Sequence, residues 1–208
     1  MKKILINLFY GILNFLNKLS NNKLFFSLFD KFENSSYEIT KIQGKNIKFF
    51  IPNKIIDWRI KSLFAKEPET INWINNFKYK KIIFWDVGAN IGIYSIYAAC
   101  IHSDIEIVSF EPSTSNLRVL SRNISINNLN SKIIINQIPL SDKKNVHISM
   151  YEPEFTEGWA MNSYGTPTDY EGKNFQPKQK YNLFGTNINF LLDNKILDIP
   201  NYIKIDVD

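Results

Sequence analysis

The fold is decided by the stretch Ile82-Ile83-Phe84-Trp85-Asp86-Val87-Gly88-Ala89-Asn90-Ile91-Gly92. Its first four residues form an uninterrupted apolar run, which is typical of a parallel strand that is covered on both faces. A turn that contains Gly88 and Gly92 follows, and apolar residues then recur at helical spacing, at Ile93, Ile96, Tyr97 and Cys100. The stretch therefore predicts a buried strand, a tight turn and a helix.

The same alternation of strands and helices continues beyond this stretch. A second apolar strand, 105–110, is followed by a helix marked by Leu117 and Ile124, and a third strand begins at Ile133. After a long excursion a fourth strand spans 202–206. The pattern predicts an α/β fold with a doubly wound, Rossmann-like, mostly parallel sheet, in which the four strands have the spatial order 3-2-1-4.

The residues before this region predict a smaller appendage. Residues 37–51 alternate between apolar and polar around Gly44, as in a β-hairpin, and Pro52 ends the pattern. We therefore predict two regions, an N-terminal helical and hairpin appendage over 1–64 and a ligand-binding sheet domain over 65–208. The excursion over 152–185 is predicted to be a loop-rich insertion, and long loops in compact domains often cover or bind ligands.

Acidic residues follow three of the predicted strands. They are Asp86, Glu111 and Asp206. In open α/β sheets, ligands bind beyond the carboxyl ends of the strands, near the point where the strand order reverses. The three acids are therefore candidate site residues.

The first turn indicates which kind of ligand binds there. Gly88 allows a sharp turn and a close approach by a ligand, and Gly92 allows the start of the helix to pack against the strand. The N–H groups from Asn90 to Gly92 suit an anionic group. Asn90 stands where the dinucleotide fingerprint requires its second glycine, so the ligand need not be a dinucleotide.

A ligand with an amino-acid end and a ribose explains these residues better. The amides of the turn can bind its carboxylate, and Asp86 or the neighbouring carbonyls can bind its ammonium. Glu111 ends the adjacent strand, where an acid can accept hydrogen bonds from both ribose hydroxyls. S-adenosylmethionine has this composition.

The motifs resemble those of a known family. Residues 84–95 look like the first motif of class I methyltransferases, in the form typical of the FkbM family. Three later stretches also resemble motifs of that family, namely Phe110-Glu111-Pro112, Leu140-Ser141-Asp142 and Tyr202-Ile203-Lys204-Ile205-Asp206-Val207-Asp208. The resemblance covers about 65–208, and it implies an S-adenosylmethionine-dependent methyltransferase domain. The implied acceptor is a hydroxyl of a saccharide, glycan or secondary metabolite.

The resemblance also implies roles for individual residues. The implied cofactor-binding residues are Asp86, Gly88, Asn90, Gly92, Tyr94, Glu111, Ser141 and Asp142. Of these, Ser141 and Asp142 are placed beside the adenine. Asp206 is implied as the catalytic residue, which orients or deprotonates the acceptor hydroxyl.

Two other functions remain open at the level of sequence. The family pattern continues with Gly-x-Glu after Asp208, so we expect a chain truncated at its C-terminal side, with Ile203 and Ile205 partly uncovered. A truncated chain makes a non-catalytic fragment or scaffold an alternative. A nicotinamide-dependent oxidoreductase is the second alternative, which the missing third glycine disfavours.

Composition excludes several kinds of site. A single cysteine excludes a disulfide scaffold, and His102 and His147 lie too far apart for metal-ligand spacing. We predict no metal site, because Asp206 and Asp208 alone are weak evidence for one. A nucleic-acid partner is not expected either, since the last strand ends in Ile205-Asp206-Val207-Asp208 and not in an Asn-Pro-Pro-Tyr type motif. Oligomeric state has no signal in the sequence.

The N-terminal segment is basic and amphipathic. Residues 1–81 contain 15 Lys/Arg and 6 Asp/Glu, whereas 82–208 contain 10 and 14. On a helix, one side of 3–19 carries Lys3, Asn7, Gly11, Asn14 and Lys18, and the other carries Leu5, Leu8, Ile12, Phe15, Leu16 and Leu19. Such a helix either docks on the domain or lies in a lipid interface. No cleavage site of a signal peptide follows it, which predicts a cytoplasmic protein that can associate with membranes.

Overall fold

The computed structural model describes residues 2–207, which form two compact units that divide between Tyr37 and Glu38. The first unit contains α1 (Lys2–Leu19) and α2 (Lys23–Ser35). Residues 38–64 therefore belong to the same compact unit as the sheet domain that was predicted over 65–208. The functional division expected between residues 64 and 65 stays a prediction.

The second unit contains the remaining elements in the order that follows. They are β1 (Tyr37–Ile42), β2 (Lys45–Phe50), α3 (Lys54–Lys61), α4 (Leu63–Lys66), α5 (Pro68–Asn75), β3 (Ile82–Val87), α6 (Ile93–Ile101), β4 (Ile105–Phe110), α7 (Thr114–Ile126), β5 (Ile133–Asn136), β6 (Val146–Glu152), β7 (Ser163–Tyr164), β8 (Gln179–Gly185), α8 (Ile188–Asp193) and β9 (Tyr202–Ile205).

The central sheet confirms the predicted fold class and strand order. Its order is β5-β4-β3-β9, and all three strand pairs are parallel. Trp85 and Phe110 pack with Leu191 of α8 on one face, while Phe84 meets the rings of Trp73 and Phe77 on the other. Apolar residues cover both faces of β3, which explains the uninterrupted apolar run in its sequence.

The hairpin β1-β2 is fastened to α7 by two asparagines. Asn123 is buried, and its side chain accepts from Phe50 N at 2.8 Å and donates to Ile91 O at 3.0 Å. Asn127 accepts from Lys48 N at 3.0 Å and donates to Lys48 O at 2.8 Å. The side chains of α7 thereby satisfy backbone groups of β2 that no strand pairs in the two-stranded sheet.

The excursion after β5 is more regular than the predicted loop-rich insertion. Strands β7, β6 and β8 form a three-stranded antiparallel sheet, in which β6 pairs with β8 along its whole length. Two strands thus lie within the segment that was expected to be mostly loop. The connection 153–162 between β6 and β7 keeps the loop character that the sequence indicated.

The strand β9 lies at one edge of the central sheet within the described residues. Its Ile203 and Ile205 are 39% and 64% exposed, as expected from the sequence. Asp208, which ends the last motif, lies outside the described residues. No helix within residues 2–207 is long and apolar enough to cross a membrane.

Candidate functional site

Three strands of the central sheet end at the same level. The register pairs Val87 with both Phe110 and Ile205, so β3, β4 and β9 present their carboxyl ends side by side. Asp86, Glu111 and Asp206 therefore stand at one edge of the sheet, as the sequence predicted. The turn after β3 lies between them.

A glycine is required at position 88 for a different structural reason from the one that the sequence suggested. Its φ is +80°, and a Cβ added there would overlap the carbonyl oxygen of Asp206. The close approach that requires glycine is therefore made by the backbone after β9, whereas the sequence suggested a ligand in this space. The turn is also held by the amides of Gly88 and Ala89, which donate to Phe110 O at 3.0 and 2.9 Å.

Gly92 also packs against a different element than expected. Its φ is +82°, and an added Cβ would overlap the side chain of Leu120 on α7. This glycine therefore leaves room for the side chain of Leu120, whereas the sequence suggested a fit against the strand. Asn90, with φ +52°, is the third residue of the turn that adopts a left-handed conformation.

Glu111 connects the first turn to the start of α7. Its carboxylate is buried and accepts from Asn90 N at 2.6 Å and from Ser113 N at 2.9 Å. The amide of Asn116 approaches the same carboxylate at 3.5 Å. Burial raises the pKa of Glu111 to about 7, and the three donors oppose that rise only in part.

Asp86 is fully buried and only partly satisfied. Its Oδ2 accepts from Ser95 Oγ at 2.6 Å, and Ser95 in turn contacts Ser109 Oγ at 2.7 Å. Within the described part of the chain, Oδ1 has no hydrogen-bond partner, although Lys204 Nζ lies 3.7 Å away. Burial raises the pKa of Asp86, and the charge of Lys204 counteracts this.

Lys204 joins the two aspartates and an aromatic ring. Its ammonium lies 3.0 Å from Asp206 Oδ2 and 4.9 Å from the ring centre of Tyr94. Lys204 is almost buried, whereas the Asp206 side chain is 63% exposed. Burial first, and then the carboxylate of Glu67, raises the pKa of the Tyr94 hydroxyl, which keeps it protonated.

A small cavity collects several of the predicted residues. It measures about 50 Å³, and its lining includes Gly88, Asn90, Tyr94, Lys204 and Asp206. Asp86 and Glu111 lie at the neighbouring strand ends. The structure thus brings most of the predicted site residues together at one place.

Ser141 and Asp142 are not part of this cavity. Ser141 N donates to Thr186 O at 2.9 Å, and its hydroxyl lies 3.2 Å from Asp142 Oδ1. Leu140 and Thr186 form an isolated bridge beside them. The two residues line neither of the two described cavities, and their adenine-binding role stays a prediction.

The segment 157–161, here named the cover segment, lies over the first turn. Trp159 O accepts from the amides of both Asn90 and Asn116, at 3.0 and 3.1 Å. Gly158 N donates to Asn116 Oδ1 at 2.8 Å, and Gly158 O accepts from Arg59 Nε at 2.8 Å. The cover segment is therefore held by side chains from the turn, from α7 and from α3.

A second, larger cleft lies between α3 and the cover segment. It measures about 380 Å³ and is lined mostly by apolar surface, from Ile55, Trp58, Trp159, Ala160 and Met161, with Lys54, Arg59 and Gly158. Its size falls in the range of ligand pockets, about 300–1,000 Å³. Arg59 lines both this cleft and the small cavity.

Sequence reasoning missed Lys204 and Asn116 as site residues. Lys204 carried a signal, since it is the one charged residue inside an otherwise apolar strand. Asn116 carried a weaker one, as a polar residue in the first turn of a helix beside a strand end. Among residues 2–207, no group of three or more His, Cys, Asp or Glu is placed to hold a metal ion.

The comparisons with known proteins find likeness only among solved structures. No protein-family model and no curated protein matches the chain. An S-adenosylmethionine-dependent methyltransferase from Agrobacterium tumefaciens matches with a TM-score of 0.38 at 13% identity, covering 49% of this chain and 32% of that one.

Two further solved structures match to a similar extent. One is described as a putative S-adenosylmethionine-dependent methyltransferase from Methanococcus maripaludis, with a TM-score of 0.36 at 25% identity, covering 46% of this chain and 48% of that one. The other is a precorrin-6y C5,15-methyltransferase from Geobacter metallireducens, with a TM-score of 0.31 at 17% identity, covering 34% and 36%. The chain thus spans between a third and a half of the length of these proteins.

Proposed function

We propose that the chain binds S-adenosylmethionine at the carboxyl ends of β3, β4 and β9 and methylates a hydroxyl group. One observation carries the proposal, namely that Asp86, Glu111 and Asp206 meet around the glycine turn. The assignment to the FkbM family and the choice of a saccharide, glycan or secondary metabolite as acceptor belong to the same proposal. Both rest on the resemblance of the motifs.

The donor and acceptor chemistry of the site suits this cofactor. A carboxylate has about four acceptor positions, and Glu111 uses three of them for protein N–H groups, so it retains capacity for a ribose hydroxyl. The unpartnered Oδ1 of Asp86 is a buried acceptor suited to an ammonium group. These residues would hold the cofactor, which supplies an activated methyl group.

Asp206 is placed to act on the acceptor hydroxyl. Its carboxylate is exposed and lies at the small cavity, while Lys204 fixes one of its oxygens. The free oxygen can accept the hydroxyl proton as a general base if the acceptor comes within hydrogen-bond distance. Lys204 orients the carboxylate.

The cavity alone is too small for the cofactor, and we infer that the cover segment moves, because Trp159 O is bonded to Asn90, which lines the cavity. A volume of about 50 Å³ holds a few water molecules and not a nucleoside. Movement of the cover segment would join the cavity to the apolar cleft beside Trp58 and Trp159. We assign the acceptor to that cleft, because aromatic rings suit the apolar face of a sugar.

Isothermal titration with S-adenosylhomocysteine tests the proposal. We expect Glu111→Ala to weaken binding by about 2–4 kcal/mol, since charge-assisted hydrogen bonds at a buried site are lost. Glu106→Ala is the matched control, because Glu106 lies on the same strand but is exposed and paired with Lys81 at 2.9 Å. It should bind like the original chain.

Three results would contradict the proposal. Equal affinity of the Glu111 variant and the original chain would remove Glu111 from the site. Thermal stabilisation by a nicotinamide dinucleotide, with none by S-adenosylhomocysteine, would favour the oxidoreductase. Binding of neither ligand would favour a non-catalytic scaffold.

A further inference from the structure

The helices of the first unit leave a large apolar surface exposed to solvent. We define the apolar face of α1 as Leu5, Leu8, Ile12, Phe15, Leu16 and Leu19, each of which is exposed. Leu8 and Phe15 are 63% and 64% exposed. Isolated surface leucines need no explanation, but a continuous apolar face of this length indicates an interaction site.

The two helices form a defined hairpin. The buried Asn17 donates from Nδ2 to Asn22 Oδ1 at 3.0 Å and accepts at Oδ1 from Phe25 N at 2.9 Å. The rings of Tyr10 and Phe25 stack with their centres 6.2 Å apart. These contacts fix the start of α2 against α1, so the exposed surface belongs to an ordered element.

The second helix adds aromatic residues to this surface. Phe26, Phe29 and Phe32 recur at intervals of three, and each is at least 63% exposed. Side chains three apart lie on the same side of a helix. Both helices of the hairpin therefore present exposed apolar side chains.

The charges on α1 all have one sign, whereas α2 also carries Asp30 and Glu33 near its end. Residues 1–29 contain Lys2, Lys3, Lys18 and Lys23 and no acidic residue, and the first acid of the chain is Asp30. An anionic surface with an apolar interior complements this arrangement. A second copy of α1 against this face complements it less well, because α1 contains lysines and no acid to pair with them.

We propose that the hairpin over residues 2–35 binds the surface of membranes that contain anionic lipid. Helix α1 lies along the interface, with its apolar face in the acyl boundary. The lysines contact lipid phosphates. No helix in the described residues is suited to span the bilayer, so the binding is peripheral. The proposal is independent of the chemistry at the sheet.

Co-sedimentation of the full chain with vesicles tests this proposal. The vesicles contain phosphatidylcholine with about one quarter phosphatidylserine, and vesicles of phosphatidylcholine alone serve for comparison. We expect binding to the anionic vesicles, with each Lys→Gln exchange at Lys2 or Lys3 weakening it by about fivefold. Raising the salt concentration should weaken it further.

Two charge-matched variants separate the apolar contribution from the electrostatic one. The double variant Leu8→Glu, Phe15→Glu changes the apolar face, and Asn7→Glu, Asn14→Glu makes the same charge change on the polar face. The first should lose at least about tenfold more affinity than the second, because it also places carboxylates in the acyl boundary. Circular dichroism should show the same helix content for both variants.

Other outcomes would overturn the proposal. Equal losses for the two double variants would show that the apolar face does not enter the lipid. An absence of sedimentation with either vesicle would reject membrane binding altogether. A stable dimer in light scattering that only the apolar-face variant dissociates, without vesicle binding, would assign the surface to a second copy of the chain.

Discussion

At the scale of single residues, Glu111 links the site to pH. Its pKa of about 7 in the folded chain lies above the ordinary value of 4.5, so the folded state holds this proton more tightly than the unfolded state. The free energy of unfolding therefore falls as the pH rises from about 4.5 to 7. Between pH 5 and pH 7 this group alone contributes a decrease of about 2 kcal/mol.

Urea unfolding at the two pH values measures this effect. The stability of Glu111→Gln should change less with pH in this window, because glutamine does not titrate. Other titrating groups contribute to both profiles, and Asp86, whose charge helps to raise the pKa of Glu111, itself has a raised pKa. Parallel pH profiles of the two proteins would show that Glu111 titrates near its ordinary value.

Gly88 allows a residue-scale test with an internal control. Gly88→Ala strains a residue with φ +80° and places a Cβ against the Asp206 carbonyl, whereas Gly44→Ala strains φ +77° with no atom within 4 Å. We expect Gly44→Ala to cost about 1 kcal/mol and Gly88→Ala at least about 2 kcal/mol more. Chemical unfolding of both variants measures the two losses in the free energy of unfolding. Equal losses would mean that the backbone after β9 shifts away from the added Cβ without an energetic cost.

Sequence reasoning was most successful for residues at strand ends. The positions of Asp86, Glu111 and Asp206 follow from the topology, because parallel strands of a doubly wound sheet end at a common edge. The partners of Asn116 could not be predicted, since they lie 42 and 43 residues away in a loop without a regular pattern. For the same reason the sequence suggested a ligand beside Gly88, where the structure has the Asp206 backbone.

At the scale of elements, the asparagines of α7 hold the hairpin β1-β2. Asn123→Ala would leave Phe50 N and Ile91 O unsatisfied in a buried place, which should cost about 2–4 kcal/mol. Asn127→Ala removes two bonds to Lys48 that are exposed to water and should cost about 1 kcal/mol or less. Equilibrium unfolding of the two variants tests the difference, and a larger loss for Asn127→Ala would contradict this account.

The elements themselves were predictable to different degrees. The strands β3, β4, β5 and β9 are mostly apolar and lie in the predicted order. Strands β7 and β8 of the antiparallel sheet were not foreseen, because β7 has just two residues and the sequence QKYNLFG of β8 resembles a loop. Such strands depend on pairing with β6, which local patterns do not reveal.

At the scale of the whole molecule, apolar surface is exposed at the outer strand β9 as well as on the hairpin α1-α2. An exposed apolar edge strand promotes pairing between chains. We expect Ile205→Lys to reduce self-association in light scattering without lowering the melting temperature. Ile199→Lys is the control, because Ile199 is at least as exposed as Ile205 but lies outside the strand. Equal effects of both exchanges would show that the chains associate through non-specific hydrophobic contacts and not by pairing at the edge of β9.

The two hydrogen bonds that Trp159 O accepts from the side-chain amides of Asn90 and Asn116 have a kinetic consequence. In the proposed site, where the nucleoside lies under the cover segment, both hydrogen bonds have to break before it binds or leaves. We therefore expect a compulsory order, in which the nucleoside arrives first and leaves last, and the acceptor exchanges through the outer cleft in between. Shortening either asparagine to alanine would then speed dissociation of the nucleoside more than it changes the methyl-transfer step itself.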